Sequence, residues 1–417
     1  MIKFFPAAVL VVLASAQVLV VEAASGRSAA PCRTVSVPKS GTPAARPGDR
    51  DRPLVLAHYM PWYVAQPRSR AWGWHWTMDH FDPKKIVEGK KQIASHFYPL
   101  IGPYDSGDPH VLEYHLLAMK LAGIDGVIVD WYGLVDFNDY AVLHANTRRL
   151  VEQVRRLGMK LAVCYEDQVI PKLVAGGKLK ADERVSHAVS EIDWLAKHWF
   201  PLESYVRLDG RPILLSFGHV GLKNTEWSQV LAKLKKPVSY FSEHFRREGA
   251  VGGFDWPIPS KGIASINEFQ AASRRWAHSI PVVYPRFVDI YKEAKLHESF
   301  GRIDDQRGAT FRTTLGRALA ARSRIVQIAT WNDWGEGTVI EPSREFGYRD
   351  LEVIQAFCRK SIGPSFRAST MDLRLPKRLY DRRQQASKPE QHRELDRVSG
   401  WLASGQYARA RTVLAIE

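Results

Sequence analysis

Two carboxylic acids lie three positions apart in a segment crowded with aromatic residues, where Asp333 and Glu336 alternate with Trp331 and Trp334. Cleavage of a glycosidic bond needs two such groups with different tasks. One must hold a proton for the leaving oxygen, and the other must be ionised so that it acts as a base or a nucleophile. Aromatic walls raise one pKa by excluding water, whereas hydrogen-bond donors lower the other. The segment therefore indicates acid–base chemistry on a sugar, with Asp333 and Glu336 as candidate catalytic residues.

The residues that end several apolar runs have the composition of a sugar-binding surface. A pyranose ring offers C–H faces that stack on Trp and Tyr, and hydroxyl groups that bond to Asp, Glu, Asn, Arg and His. Core packing explains a single Trp equally well, and an ion pair explains a single carboxylate, but their joint occurrence favours a binding site. The candidate substrate-binding residues are Tyr59, Trp62, Tyr63, Asp130, Trp131, Tyr132, Tyr165, Glu166, Tyr284, Arg286, Trp331, Asn332 and Trp334.

Eight apolar runs predict the strands that must position these residues. They alternate with helical patterns at 111–122 and 140–157, which end at Gly123 and Gly158. This alternation predicts an α/β fold with a parallel sheet, and eight strands predict a (β/α)8 TIM barrel, whose active site lies at the carboxyl ends of the strands. For Tyr284 and Arg286 the alternative role is a structural clamp on the last barrel turns. The predicted strands are 54–59, 126–131, 160–165, 212–217, 238–241, 251–254, 280–284 and 325–331.

Several segments at these strand ends resemble one known family. Residues 331–342, WNDWGEGTVIEP, are similar to the signature of glycoside hydrolase family 99, the endo-α-mannosidase and endo-α-mannanase group. A related signature occurs in barrel proteins linked to polysaccharide assembly, so the resemblance indicates the family more firmly than the substrate. The resemblance covers roughly residues 54–358, and its shorter matches, in the same order, are YMPWY at 59–63, IG to DP at 101–109, AGIDG at 122–126, DWYG at 130–133 and YED at 165–167.

The resemblance implies a retaining enzyme that cuts inside α-mannoside chains and needs no metal or other cofactor. It implies that one carboxylate takes the proton of the sugar's 2-hydroxyl, which attacks the anomeric carbon and forms a 1,2-anhydro intermediate. The second carboxyl protonates the leaving oxygen and then, as a carboxylate, activates the water that opens the epoxide. Carried over to this sequence, Glu336 is the general acid/base and Asp333 is the base at the 2-hydroxyl.

The sequence departs from the family pattern at Asp333, where the family usually has Glu. Aspartate is one methylene shorter, and a displacement of about 1 Å costs on the order of a hundredfold in rate. Asp333 works from a shifted backbone, or it works through water, or the protein binds sugar with little or no hydrolysis. Two classes therefore stay open: a glycoside hydrolase acting on an oligo- or polysaccharide, and a carbohydrate-binding or polysaccharide-assembly protein on the same barrel.

The two ends of the chain differ from the central segment. Lys3 precedes an uncharged, mostly apolar run at 4–21, which is typical of an export signal, whereas a retained membrane anchor is the alternative. We expect a signal peptide at 1–24, a flexible linker at 25–53, the catalytic barrel domain at 54–358 and a short C-terminal helical appendage at 359–417. The predicted location is the periplasm, the extracellular medium or the lumen of the secretory pathway, without stable membrane insertion after cleavage.

The composition weighs against other classes of function. The chain of 417 residues has 59 Lys and Arg against 44 Asp and Glu, a net charge of +15, yet no recognition motif accompanies the surplus, so we expect no nucleic-acid partner. There is no phosphate loop or nucleophile elbow, and Cys164 is expected to be a buried apolar residue. The oligomeric state is left open. We assign no metal, because no ligand spacing relates His75, His115, His144, His219 and His244.

Overall fold

The computed structural model describes residues 52–218 and 220–414. The predicted signal peptide at 1–24, nearly all of the predicted linker at 25–53, His219 and residues 415–417 lie outside the described residues. Among the residues that are described, no helix has both the length and the apolar character needed to cross a membrane.

Nine parallel strands form a barrel in the described part of the chain, and together they account for the eight apolar runs. They are β1 (Leu54–Tyr59), β2 (Gly126–Trp131), β3 (Lys160–Glu166), β4 (Arg211–Phe217), β5 (Ser239–Glu243), β6 (Gly252–Phe254), β7 (His278–Ile280), β8 (Val282–Val283) and β9 (Ile325–Ile328). Their order is β7-β6-β5-β4-β3-β2-β1-β9-β8, and every neighbouring pair on this path is parallel. The sheet and its surrounding helices are the (β/α)8 fold that the sequence predicts.

The ring closes through the strand that the sequence predicts at 280–284. In the structure this strand is split, because β7 pairs with β6 whereas β8 pairs with β9. Pro281 lies between the two halves and has no N–H to donate, but its carbonyl accepts a 3.1 Å bond from the N–H of Gln327. The last strand ends at Ile328, so the predicted strand residues 329–331 belong instead to the loop that follows β9.

Twelve α-helices lie in the described residues, and most of them surround the barrel. They are α1 (Trp74–Thr77), α2 (Pro109–Ala122), α3 (Tyr140–Arg156), α4 (Val169–Ala175), α5 (Arg184–His198), α6 (Asn224–Lys233), α7 (Ile263–Ser273), α8 (Ala309–Ala320), α9 (Arg349–Ile362), α10 (Leu375–Gln385), α11 (Pro389–Ala403) and α12 (Tyr407–Leu414). Turns of 3₁₀ helix lie at Ala181–Glu183, Gln306–Gly308, Gly363–Ser365 and Met371–Arg374. Short antiparallel pairs join Ile86–Val87 to Lys90–Lys91, Phe287–Val288 to Arg302–Ile303, and Arg207–Leu208 to β4.

Local sequence sets both ends of α2. Asp108 caps the N-terminus by accepting a 2.8 Å bond from the N–H of His110, and Pro109 occupies the first turn, where its missing N–H is not needed. Gly123 ends the helix with a φ of 92°. A side chain at that position would meet Cys358 Sγ at 2.5 Å, so both the backbone conformation and the space require glycine.

Alternation of side chains along the strands separates two hydrophobic cores. In β1, Val55, Ala57 and Tyr59 pack in the outer core between sheet and helices, whereas Leu56 packs inside the barrel. Neighbouring residues at a strand end therefore point in opposite directions. Only one of each neighbouring pair faces the barrel mouth, which decides which candidate residues can contact a ligand.

The C-terminal helices dock on α2 and extend the outer core. Leu373, Leu375 and Leu379 are almost fully buried there. Arg383 of α10 pairs with Glu113 of α2 at 2.9 Å, and both side chains are nearly inaccessible to solvent. The described part of the predicted appendage therefore packs on the helical layer of the barrel.

Candidate active site

Asp333 and Glu336 lie in the loop that leaves the carboxyl end of β9. The N–H of Asp333 donates to Thr330 Oγ1 at 2.8 Å, and the N–H of Gly337 donates to Asp333 O at 3.0 Å. The N–H of Glu336 also donates to Asp333 Oδ1 at 3.1 Å. These bonds form a helix-like turn, and residues three positions apart in such a turn lie on one side of it.

This loop is bound to the loop that follows β1. Asn332 Oδ1 accepts a 2.8 Å bond from the N–H of Met60, and Asn332 Nδ2 donates to Met60 O at 3.0 Å. The N–H of Trp334 donates to Tyr63 Oη at 2.9 Å. Asn332 and Trp334 are fully buried, so they position the loop and do not reach the ligand surface that the sequence predicts for them.

A buried hydroxyl connects the polar groups on the inner side of the loop. Tyr104 Oη donates to Glu341 Oε2 at 2.7 Å and accepts bonds from Asn332 Nδ2 and Trp334 Nε1, both at 3.1 Å. The other oxygen of Glu341 lies 3.2 Å from His115 Nε2. Networks of this kind rigidify a structure when all their members are satisfied, so Tyr104 and Glu341 fix the base of the loop.

The two carboxyl groups of the loop titrate differently. Burial raises the pKa of Asp333 to about 7, although the N–H groups of Glu336 and Gly335 stabilise its anion. Burial raises the pKa of Glu336 well above its usual value, and the negative charges of Asp333 and two further carboxylates raise it more. Near neutral pH, Glu336 therefore keeps a proton while Asp333 is partly ionised. Glycosidic cleavage needs such an acid and base with separated pKa values.

Further carboxyl groups lie at the barrel mouth. Burial raises the pKa of Asp130 and of Glu166 well above their usual values. The charge of Asp333 raises that of Asp130 further, and the charge of Asp130 does the same to Glu166, whereas Lys172 opposes both shifts. A mouth of this kind suits a ligand with many hydroxyl donors, and it stabilises positive charge that develops at an anomeric carbon.

Aromatic surface borders the same mouth. Trp62 stacks on His75 with ring centroids 4.4 Å apart and an interplanar angle of 8°, and Tyr132 meets the edge of Trp62 at 6.3 Å. Trp62 keeps 9% of its surface exposed, and Tyr132 is half-buried. The two rings are therefore available for stacking on a sugar.

Two tyrosines flank the acid pair. Burial raises the pKa of Tyr63 and of Tyr291 far above the usual value, and the nearest listed charges are those of Asp333 and Glu336 respectively. The sequence predicts Tyr63 as a site residue but not Tyr291. Tyr291 lies in the irregular segment between β8 and β9, where neither a strand end nor a motif marks it.

Three predicted substrate-binding residues face away from the mouth: Tyr59, Trp131 and Tyr165. Each is fully buried in the outer core. Trp131 Nε1 donates to His144 Nδ1 at 3.1 Å, and Tyr165 Oη donates to Glu191 at 2.5 Å. Because strand alternation turns these rings toward the helices, we correct the predicted ligand contacts to packing roles.

Three further candidates are also closed off from the mouth: Tyr284, Arg286 and Trp331. Arg286 pairs with Asp305 at 3.1 Å and with Asp350, and it donates to Val339 O at 2.7 Å. Its guanidinium group is therefore fully engaged in joining the last barrel loops to α9. This arrangement is the structural clamp that the sequence left as the alternative for Arg286, and it removes the predicted ligand contact.

Two family models match separate parts of the chain. Residues 52–237, which include β1 to β4, match the model described as Glycosyl hydrolase family 99. Residues 301–354, which include Asp333 and Glu336, match the model described as Glycosyltransferase WbsX. The barrel framework and the acid pair are thus covered by different matches.

Individual relatives resemble a larger share of the chain. A glycoprotein endo-alpha-1,2-mannosidase of Rattus norvegicus is 35% identical over 323 residues, which cover 69% of this chain and 67% of that protein. A glycoprotein endo-alpha-1,2-mannosidase-like protein of Mus musculus is 25% identical over 347 residues, covering 76% and 75%. The solved GH99 endo-alpha-mannosidase from Bacteroides thetaiotaomicron superposes with a TM-score of 0.57 at 18% identity, over 74% of this chain and 98% of that chain. This last similarity concerns the fold.

We expect Tyr104→Phe to destabilise the protein through the network below the loop. Loss of the hydroxyl leaves Glu341 Oε2 and two N–H donors of the loop without a partner, and each such buried group costs about 1–3 kcal/mol. The free energy of unfolding, measured by urea titration, should fall by at least about 2 kcal/mol. The control is Tyr98→Phe, because Tyr98 Oη accepts one 3.3 Å bond from the exposed Lys91; an equal loss in both variants would contradict the network.

Proposed function

The chain belongs to glycosyl hydrolase family 99, and on that premise we propose that it is an endo-acting glycoside hydrolase that cleaves α-mannosidic or related α-linked glycans with retention. The proposal rests on the acid pair, since Asp333 and Glu336 share one turn and have raised but separated pKa values. The relatives described as endo-alpha-1,2-mannosidases support α-mannoside as the substrate class.

In the first proposed step the sugar attacks itself. Asp333 takes the proton of the 2-hydroxyl, and the 2-oxygen attacks the anomeric carbon of the same residue. Glu336 gives its proton to the leaving glycosidic oxygen as that bond breaks, so the product is a 1,2-anhydro sugar. The raised pKa of Glu336 keeps this proton available at neutral pH.

In the second step water opens the epoxide. Glu336, now a carboxylate, takes a proton from the water whose oxygen attacks the anomeric carbon, and the bond between that carbon and the 2-oxygen breaks. The 2-oxygen recovers its proton from Asp333, which restores both carboxyl groups. Two successive inversions at the anomeric carbon retain its configuration.

A second candidate function has one specific observation in its favour. The segment that contains Asp333 and Glu336 matches the model described as Glycosyltransferase WbsX. The same barrel would then bind or assemble a polysaccharide with little or no hydrolysis. The aspartate at 333 fits this alternative, because a shortfall of about 1 Å in the position of a base costs on the order of a hundredfold in rate.

Cleavage of a defined α-mannan by the purified protein separates the two functions. We expect the wild type to release reducing-end fragments, with retained anomeric configuration seen by proton NMR directly after mixing. Glu336→Gln should lower kcat by about 10²–10⁴-fold, because an amide cannot donate the proton, while glycan binding measured by calorimetry is kept. Asp333→Glu should retain or raise kcat, since it restores the residue usual in the family.

Glu394→Gln is the matched control, because Glu394 is exposed on α11, outside the site residues identified above. It should leave kcat unchanged. If the wild type binds glycans but cleaves neither α-mannosides nor α-glucosides, the hydrolase proposal fails and the binding or assembly function replaces it.

The pKa values predict a bell-shaped pH dependence of kcat/KM. The rate should rise as the pH passes about 7, where Asp333 loses its proton and becomes a base. It should fall at higher pH, where Glu336 loses the proton that it must donate. Glu336→Gln should remove the falling limb from the residual activity. A rising limb at the ordinary carboxyl pKa of about 4 would contradict the assignment of Asp333 as the buried base.

We further propose that residues 1–24 are a cleaved export signal and that the mature protein works outside the cytoplasm. The support is Lys3 and the uncharged, mostly apolar run at 4–21. Made in a secreting host, the exported protein should begin at Ala24 or Ser25, as read by mass spectrometry. Val12→Asp interrupts the apolar run and should leave the protein uncleaved inside the cell. An intact N-terminus on a membrane-bound product would support the retained anchor instead.

A further inference from the structure

A second group of polar side chains lies inside the barrel, on the adjacent strands β1, β2 and β3. It consists of His58, Asp130 and Cys164, one from each strand. Asp130 lies directly opposite Cys164 in the parallel register. All three point inward, because the residue that follows His58 or Asp130 in its strand packs in the outer core.

The polar atoms of this group converge. One nitrogen of His58, one oxygen of Asp130 and Cys164 Sγ all lie within 4.8 Å of one another. The three residues are 0%, 4% and 0% exposed. Within the described residues, neither ring nitrogen of His58 nor Asp130 Oδ1 makes a hydrogen bond of acceptable distance and angle. Buried polar atoms without partners are rare, and such a cluster calls for a ligand.

The three groups have the chemistry of a transition-metal site. Burial lowers the pKa of His58 to about 3, against the opposing effect of Gln327, so the imidazole is neutral and offers a lone pair. Burial and the surrounding carboxylates raise the pKa of the Cys164 thiol; a bound cation reverses that effect and releases the proton. Imidazole, carboxylate and thiolate together are ligands for zinc, whereas a thiolate is a poor ligand for magnesium or calcium.

We propose that His58, Asp130 and Cys164 bind a thiophilic divalent cation of the zinc class inside the barrel. Zinc takes its ligands at about 2.0–2.3 Å, so small side-chain rotations bring atoms that lie within 4.8 Å of one another onto a common ion. The carboxylate and the thiolate together neutralise the charge of the ion, which an apolar interior requires. This site goes beyond the proposed hydrolysis, in which no step uses a metal.

Cobalt(II) titration of the full chain tests the site without reference to catalysis. A thiolate ligand gives a charge-transfer band in the near ultraviolet, and a tetrahedral site gives strong visible bands. We expect both at one cobalt per chain, and we expect zinc to displace the cobalt and abolish them. Cys164→Ser should lose the charge-transfer band. His58→Ala should weaken binding by at least about 100-fold, since changes beyond the ligands already cost about 10–100-fold.

Cys358→Ser is the matched control, because Cys358 is also a buried free cysteine and its Sγ bonds to Gly123 O at 3.4 Å. Cys32→Ser controls for the remaining cysteine of the chain. Both should keep the cobalt bands. Circular dichroism establishes that each metal-free variant is folded, and Asp130→Asn, which keeps the side-chain shape, should weaken binding even if Cys164→Ser does not fold. Absence of the charge-transfer band in the wild type, or its persistence in Cys164→Ser, would overturn the proposal.

Discussion

The parallel pairing of the first and last barrel strands is the constraint on which the candidate site depends. Ala57 lies opposite Ile328, so the loops that follow β1 and β9 leave the barrel side by side. The N–H of Trp331 donates to His58 O at 2.8 Å and continues this pairing past the end of β9. Asn332 then bonds to a backbone 272 positions away in sequence. The acid pair is therefore held by ring closure itself, and its geometry is as stable as the barrel.

The electrostatics of the mouth oppose folding at neutral pH. Burial raises the pKa of Asp333 from 3.8 to about 7, so the folded state binds this proton more tightly than the unfolded chain does. A carboxyl group with a raised folded pKa makes its full stabilising contribution below the unfolded value, and the protein loses that contribution as the pH rises through the folded value. Backbone N–H donors at Asp333 limit the cost of ionisation. A site that stores free energy in this way is typical of catalytic groups.

The sequence predicts the barrel better than it predicts the direction of the side chains at the strand ends. The runs 54–59 and 126–131 coincide with β1 and β2, because strands buried on both faces must be apolar throughout. The same double burial hides their alternation, so Tyr59 looked as suitable as any neighbour that faces the mouth. Tyr291 and the grouping of His58 with Cys164 depend on contacts between distant segments, which no local pattern records.

The hydrolase match and the glycosyltransferase match are compatible on chemical grounds. In the proposed mechanism, Glu336 as a carboxylate activates whichever hydroxyl reaches the anomeric carbon of the 1,2-anhydro sugar. Water gives hydrolysis, and a sugar hydroxyl gives transfer, with the same acid pair and the same proton movements. The choice then depends on how well the mouth excludes water while an acceptor sugar is bound. Trp62 and Tyr132, which offer stacking surface beside the acid pair, therefore control both affinity for the glycan and the balance between the two reactions.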